Sequence, residues 1–287
     1  MPQYKMYRRT KRRRTKKNKK NILILVSAFL FLSLVGFISG DRISSTKSYK
    51  IKADTMATTK IKAGKYMDNK KTKVQAANIK GTDTSEFNPY KPDGRKVVYL
   101  TFDDGPSPNN TPQILKILKD YNIKATFFLI GKNAEKNKDI VKEEVAEGHT
   151  VANHTYSHDM NYIYSDPKVF INDVNKCNDI LKSILGNNYN SKLIRFPGGS
   201  FGKKLEPFRE EAKENGYSYV DWNDLTGDAE YNRVPVDKLV STVERYSNQE
   251  HLVVLMHDAS TKATTVQALP EVIEYFRSKG YIFETLK

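Results

Sequence analysis

The feature that most constrains the fold is an alternation of short apolar runs with longer amphipathic runs, which starts at Val97 and continues to the end of the chain. The short runs are rich in β-branched and aromatic residues, and they predict strands at 97–103, 125–131, 150–155, 193–197, 217–223, 252–258 and 281–286. The runs between them predict helices at 111–121, 133–147, 167–185, 204–215, 235–247 and 264–279. Strands that alternate with helices form parallel sheets, so the sequence predicts an α/β fold. We expect a distorted (β/α) barrel with about seven parallel strands.

Titratable residues lie where several of these predicted strands end. They are Asp103, Asp104, His154, His158, Arg195 and His257. In an α/β barrel the active site is built at the carboxyl-terminal rim, where the ends of neighbouring parallel strands meet. The sequence therefore predicts an active site that gathers these side chains at one rim.

Two imidazoles and one carboxylate suit a divalent metal that must keep positions open for water and substrate. His154 and His158, with either Asp103 or Asp104, supply this set. The remaining aspartate would then act as a base toward a water whose pKa the metal lowers. Each pattern by itself is equally typical of structure, because Asp-Asp-Gly-Pro is an ordinary turn and two histidines four residues apart are often a structural pair.

Two further residues complete the predicted chemistry. His257, on the opposite side of the rim, would act as an acid toward the leaving group. Arg195 would keep the base ionised and orient it.

Several motifs resemble, in order and spacing, those of the polysaccharide deacetylase family, also called carbohydrate esterase family 4. They are Thr101-Phe102-Asp103-Asp104-Gly105-Pro106, His154-Thr155-Tyr156-Ser157-His158, Arg195-Phe196-Pro197-Gly198-Gly199, Asp228 and Leu255-Met256-His257. The resemblance covers about 97–287. It implies a distorted barrel that uses a divalent metal, Zn²⁺ in the first place and Co²⁺ as the alternative, to hydrolyse the N-acetyl group of amino sugars.

The resemblance also assigns the central roles. It implies that Asp103 is the general base and that His257 is the general acid. The metal ligands it implies are Asp104, His154 and His158.

Other roles implied by the resemblance concern the surroundings of these groups. Arg195 would brace the base, and Asp228 would tune the acid histidine. The backbone N–H of Gly198, which follows Pro197, would help to hold the oxyanion. Leu255 would form a wall for the acetyl methyl group.

The chain departs from the family pattern at two places that affect the substrate pocket. The motif at 225–229 reads Leu-Thr-Gly-Asp-Ala and lacks the first acid and the aromatic residue of the usual motif. Gly198 stands where many members have tyrosine. Trp222 is interpreted with equal weight as a wall of the sugar site and as a core residue. These departures leave the exact substrate open.

The N-terminal region predicts export. Residues 1–20 carry eleven Lys and Arg and no acidic residue, and residues 22–38 carry no charge. That apolar run is at the short end of the 17–25 or so residues that span a bilayer. We expect a basic cytoplasmic tail at 1–20 and a transmembrane signal-anchor at 21–39, with the bulk of the chain outside the cell. The alternative is a signal peptide that is cleaved, so that the protein is secreted.

A linker and a catalytic domain are expected to follow. Residues 41–96 carry fourteen Lys and Arg against six acidic residues and only isolated hydrophobic ones, which predicts a disordered linker at 40–92. The catalytic domain is expected at 93–287. From Val97 onward, 23 Lys and Arg face 27 Asp and Glu. Because the excess of basic charge lies outside the part with a core, we expect no nucleic-acid partner.

The predicted function is that of a membrane-anchored, metal-dependent deacetylase acting on N-acetylglucosamine of peptidoglycan. Alternative substrates are chitin-like or other N-acetylglucosamine oligomers and O-acetylated polysaccharide. A non-catalytic wall-binding protein with a decayed site is the alternative from another class. The presence of every candidate site side chain argues against decay.

Overall fold

The computed structural model describes residues 87–287. The predicted cytoplasmic tail at 1–20, the predicted transmembrane segment at 21–39 and most of the predicted linker at 40–92 lie outside the described residues. In the described part of the chain, no helix combines the length and the apolar character that crossing a bilayer requires.

Strands and helices alternate along the described part, largely as the sequence pattern predicts. The strands are β1 (Val97–Asp103), β2 (Thr126–Leu129), β3 (Thr150–Asn153), β4 (Leu193–Ile194), β5 (Ser218–Tyr219), β6 (Asp224–Leu225), β7 (His251–His257) and β8 (Ile282–Phe283). The helices are α1 (Thr111–Asp120), α2 (Gly131–Lys136), α3 (Lys138–Ala146), α4 (Met160–Ile163), α5 (Pro167–Leu185), α6 (Glu206–Glu214), α7 (Val236–Tyr246) and α8 (Ala263–Ser278). Short 3₁₀ turns occupy Lys203–Leu205 and Asp228–Glu230.

Seven strands form one continuous sheet in the order β5-β4-β3-β2-β1-β7-β6, and every pairing in it is parallel. β1 and β7, the two longest strands of the described part, pair with each other along their whole length on one edge of β1. Its other edge pairs with β8 over the first two residues and with β2 over the last three. The predicted parallel α/β fold is therefore confirmed.

The sheet is curled but does not close by backbone pairing among the described residues. The predicted strand 217–223 is wrong as one continuous strand, because this segment contributes only β5 to one edge of the sheet and then leads into β6 at the opposite edge. Only five peptide units separate Tyr219 from Asp224, so the two edges lie within about 19 Å of each other. The result is an incomplete barrel with a seam between β5 and β6.

The predicted helix 133–147 is also wrong as a single element, because it is broken at Asn137 into α2 and α3. Asn137 has φ −126° and ψ 46°, outside the helical region. Its side-chain amide donates hydrogen bonds to the carbonyl oxygens of Pro106 (3.3 Å) and Asn133 (2.9 Å). An asparagine that bonds to nearby backbone in this way offers an alternative to helical geometry.

The two faces of β1 have different surroundings. The side chains of Val98, Leu100 and Phe102 pack with those of the surrounding helices in the larger hydrophobic core. Val97 and Tyr99 belong to a second core, inside the curled sheet, that includes Phe128 and Val253. Because side chains alternate along a strand, Asp103 lies on the inner face, at the carboxyl end of β1.

Candidate active site

The parallel sheet brings the predicted site residues to one edge. Asp103 is the last residue of β1 and His257 the last of β7, and the two are register partners. His154 directly follows β3, and Arg195 directly follows β4. Since β1, β3, β4 and β7 run in the same direction, all four residues lie at the carboxyl-terminal edge.

Asp104, His154 and His158 form a cluster whose ligand atoms all lie within 4.8 Å of one another. Asp104 Oδ1 is 3.6 Å from His154 Nε2 and 3.3 Å from His158 Nε2. A tetrahedral zinc ion with ligands at about 2.0–2.2 Å holds neighbouring ligand atoms about 3.3–3.6 Å apart. The backbone of Asp104 is left-handed, with φ +75°, and departs from the extended conformation of β1 directly after Asp103.

The donor set fits a divalent cation. Asp104 Oδ1 is buried and has no hydrogen-bond partner, which is costly for a carboxylate oxygen unless a cation satisfies it. His154 Nδ1 lies 2.8 Å from the carbonyl oxygen of Arg195, and a donated N–H there leaves the lone pair on Nε2 facing the cluster. Burial, together with the neighbouring His158, lowers the pKa of His154 to about 3, so the ring is neutral and able to act as a ligand.

Asp103 is buried beside the cluster and paired with Arg195. Its Oδ1 accepts a 2.9 Å hydrogen bond from the Arg195 guanidinium, and its Oδ2 lies 3.7 Å from His154 Nε2. Burial raises the pKa of Asp103 above its ordinary value, and the charge of Arg195 opposes that rise. The geometry thus gives Asp103 a proton affinity above that of an exposed aspartate while Arg195 holds its carboxylate in place.

Arg195 is wholly buried, and its guanidinium is held on several sides. Besides Asp103, it donates to Thr101 Oγ1 (2.6 Å) and to the carbonyl oxygens of Val220 (3.1 Å) and Asp221 (3.1 Å). Its Cζ lies 4.1 Å from the centre of the Phe128 ring. These contacts leave the guanidinium little freedom, so that it orients Asp103 rigidly.

His257 forms a second buried pair, with Asp228. Its Nδ1 is 2.8 Å from Asp228 Oδ1, and its backbone N–H donates to Asp228 Oδ2 at 2.8 Å. Thr265 Oγ1 also donates to Oδ2, at 2.8 Å. Burial lowers the pKa of His257, but the attraction of Asp228 outweighs it and raises that pKa to about 9. His257 is therefore protonated at neutral pH, as a general acid must be.

The predicted substrate-binding residues lie around this edge. Pro197 and Gly198 follow Arg195 in a turn closed by a 2.8 Å hydrogen bond between the Gly199 N–H and the Phe196 carbonyl oxygen. Leu255 is buried on the same side of β7 as His257, because the two are separated by one residue.

Trp222 lies in the seam between β5 and β6, where it packs on the inner core and makes an edge contact with Phe201, with ring centres 5.4 Å apart. A Cβ placed on Gly199 would lie 3.0 Å from its Cη2. Trp222 therefore packs on the core with one side and lies beside the Pro197–Gly199 turn with the other, and its role as a wall of the sugar site stays a prediction.

Sequence reasoning missed Met160, the first residue of α4. Its Cε lies 3.0 Å from the point where a side chain at residue 198 would place its Cβ, and the residue is 49 % exposed. Met160 thus occupies space that a larger residue at 198 would need. In the sequence, only the glycine at 198 indicates that space is free beside this turn. It does not indicate that Met160 fills that space.

Sequence reasoning also missed Asn133, in α2. Its Nδ2 donates a 2.8 Å hydrogen bond to the carbonyl oxygen of Asp104. This contact holds the peptide that follows the left-handed residue Asp104.

Replacing Asn133 with alanine is expected to weaken metal binding about tenfold, because supports of metal ligands commonly contribute that much. The measurement is the dissociation constant for Zn²⁺ and Co²⁺, by competition with a chelator, on the full chain. Asn137→Ala, which removes a longer hydrogen bond to Pro106, is the matched control and is expected to change the constant less. Equal constants for wild type and Asn133→Ala would contradict this role.

A parallel α/β sheet can hold a cation at its carboxyl edge, between a buried carboxylate paired with an arginine and a buried imidazole paired with an aspartate. This arrangement is typical of the class of metal-dependent hydrolases. The model of the polysaccharide deacetylase family matches residues 90–220. A peptidoglycan-N-acetylglucosamine deacetylase of Bacillus cereus is 36 % identical over 207 residues, which cover 71 % of this chain and 72 % of that protein. The chain belongs to the polysaccharide deacetylase family, and the resemblance seen in its motifs is confirmed.

Solved structures agree with this assignment. A carbohydrate esterase family 4 enzyme of Streptococcus mutans matches with a TM-score of 0.63 and 35 % identity, covering 68 % of this chain and 87 % of that one. The catalytic domain of a peptidoglycan N-acetylglucosamine deacetylase of Eubacterium rectale matches with a TM-score of 0.63 and 34 % identity. This match covers 71 % of this chain and 94 % of that one. The chain is thus a hydrolase of a family of metal-dependent deacetylases.

Proposed function

We propose that this protein removes the N-acetyl group from N-acetylglucosamine residues of peptidoglycan and releases acetate. The observation that carries the proposal is the Asp104, His154 and His158 cluster, flanked by the Asp103–Arg195 pair and the His257–Asp228 pair. Relatives named as peptidoglycan-N-acetylglucosamine deacetylases support the choice of substrate.

Each step of the amide hydrolysis falls to a residue of the chain. Asp103 accepts a proton from the attacking water, and Arg195 keeps its carboxylate oriented during the transfer. The N–H of Gly198 donates to the oxygen on which negative charge develops. His257 gives its proton to the amine of the sugar, so that the carbon–nitrogen bond breaks and acetate leaves. Asp228 stabilises the protonated form of His257 beforehand.

A divalent cation held by Asp104, His154 and His158 would polarise the acetamide carbonyl and make the attacking water more acidic. We propose Zn²⁺ as this ion, with Co²⁺ as the alternative, because two imidazoles and one carboxylate suit both.

We also propose the chain organisation predicted from the sequence. Residues 1–20 would form the cytoplasmic tail, 21–39 the membrane anchor, 40–92 the linker and 93–287 the catalytic domain outside the cell. The uncharged run with a basic flank supports this proposal. A single-pass anchor would keep the catalytic domain close to the cell-wall polymer.

The test is acetate release by the purified full chain from peptidoglycan and from N-acetylglucosamine oligomers. We expect release that a chelator abolishes and that added Zn²⁺ or Co²⁺ restores. Asp139→Asn, at a fully exposed aspartate, serves as a control that should keep wild-type activity. If no acetylated glycan releases acetate even after metal is restored, the enzyme proposal fails and a wall-binding role takes its place.

A further inference from the structure

A cavity of about 290 Å³ adjoins the metal-ligand cluster and shares Asp104 with it. It lies between the loop after β1, the junction of α2 and α3, and the loop after β7. Lys136, Asn137 and Ser260 line it together with Asp104. Since Asp104 belongs to both, a group bound in the cavity would lie next to whatever reacts at the cluster.

The size of the cavity limits what it can hold. Ligand pockets usually measure about 300–1,000 Å³, so this cavity lies just below that range. It is suited to a short substituent on a neighbouring sugar and is too small for a glycan chain.

One cationic side chain, that of Lys136, lines the cavity. The side-chain amide of Asn133 donates to the carbonyl oxygen of Asp104, and that of Asn137 to those of Asn133 and Pro106. Lys136 is exposed, lines the cavity, and forms no ion pair within residues 87–287. Its ammonium group is thus a charged donor that no carboxylate of the described residues engages.

Lys136 differs from the neighbouring lysines in its position at the cavity. Lys132 lies over the ring of Tyr156, Lys142 is 3.8 Å from Asp139, and neither of them lines the cavity. From Val97 onward the chain has more acidic than basic residues. A cation beside an active site in an acidic domain would attract a carboxylate on the substrate.

We propose that this cavity binds a carboxylate-bearing substituent of the sugar next to the reacting N-acetylglucosamine, with Lys136 as its partner. The inference rests on the proposed function and deepens it. In peptidoglycan the neighbouring sugar, N-acetylmuramic acid, carries a lactyl arm, whose carboxylate is free or extended by a peptide with carboxylates of its own. Chitin-like oligomers have no such group. Lys136 is then a specificity-determining residue that favours peptidoglycan over neutral oligomers.

The experiment compares three tetrasaccharides with the metal-loaded full chain. One is a neutral N-acetylglucosamine tetramer, one is peptidoglycan-derived without peptide, and one is peptidoglycan-derived with its peptides. Lys136→Gln is expected to lower the ratio of kcat/KM for the carboxylate-bearing substrates to that for the neutral one by about three- to tenfold, mostly through KM. If the ratio falls for the substrate without peptide, the partner of Lys136 is the lactyl carboxylate. If it falls only for the substrate with peptides, the partner is a carboxylate of the peptide.

Lys138→Gln is the matched control, since Lys138 is an exposed lysine two residues away that does not line the cavity. Raising the salt concentration should reduce the wild-type preference and leave that of Lys136→Gln nearly constant. A ratio that is the same in wild type and Lys136→Gln, or that falls equally in Lys138→Gln, would overturn the inference. Loss of activity on every substrate by the wild type would instead overturn the proposed function.

Discussion

Replacing Asp103 with asparagine is expected to lower kcat by about 10²–10⁴-fold, the usual contribution of a general base. Asparagine keeps the shape of the side chain and can still accept the hydrogen bond from Arg195, but it cannot take a proton from water. The measurement is acetate release under saturating substrate. The loss of charge also leaves Arg195 buried without its counterion, which can cost about 3–5 kcal/mol of stability. A thermal unfolding curve must therefore accompany the rates.

Asp104→Asn is the matched variant for Asp103→Asn. Both are expected to be inactive, but for different reasons, because Asp104 lies in the ligand cluster and Asp103 is paired with Arg195. Zn²⁺ affinity separates them: Asp103→Asn should retain the metal, and Asp104→Asn should lose it. If Asp103→Asn lost the metal and Asp104→Asn retained it, the two roles would have to be exchanged.

Asp228→Asn is expected to move the alkaline limb of the pH–rate profile toward lower pH. The carboxylate of Asp228 raises the pKa of His257 to about 9 against the effect of burial. In the proposed mechanism activity requires protonated His257, so it is expected to fall as the pH rises through this pKa. Without the negative charge of Asp228, its contribution to that rise is lost while the effect of burial remains, so the pKa of His257 falls and the alkaline limb moves with it. At a pH above the new limb, kcat would fall about tenfold for each pH unit by which the limb has moved below that pH.

The control for this profile is Asp224→Asn. Asp224 is also a buried aspartate, and its strand β6 pairs with β7, but it accepts a hydrogen bond from Ser247 and forms none with His257. Its replacement should leave the alkaline limb in place. If the alkaline limb of the pH–rate profile stays near its wild-type position in Asp228→Asn, a group other than the His257–Asp228 pair sets the pKa of that limb. A cation at the cluster lowers the pKa of His257 in both proteins, so the comparison is made at equal metal loading.

Much of the fold follows from local patterns. The helix Pro167–Leu185 occurs with the predicted bounds, because Asp166 accepts a hydrogen bond from the Lys168 N–H at its start and Pro167 fits the first turn. β1 also has its predicted bounds, because its residues are suited to a strand that is buried on both faces.

The errors occur where distant contacts outweigh local preference. The segment 217–223 has the composition of a strand, but it passes from one edge of the sheet to the other. The segment 133–147 has helical spacing, but Asn137 bonds to the carbonyl oxygen of Pro106 and breaks it. Neither partner is visible in the periodicity of the segment itself.

The sequence by itself determined the parallel α/β architecture and the residue types at the strand ends, because side-chain periodicity and strand direction are local properties. The residue pattern alone left open which of the neighbouring aspartates faces the histidines; the resemblance implied Asp104, and the tertiary structure places Asp104 there. Asp104 turns into the left-handed conformation and meets His154 and His158, while Asp103 meets Arg195 from another strand. It likewise decided that Met160 fills the space beside Gly198. These arrangements depend on contacts between segments far apart in the chain, which only the packed sheet brings together.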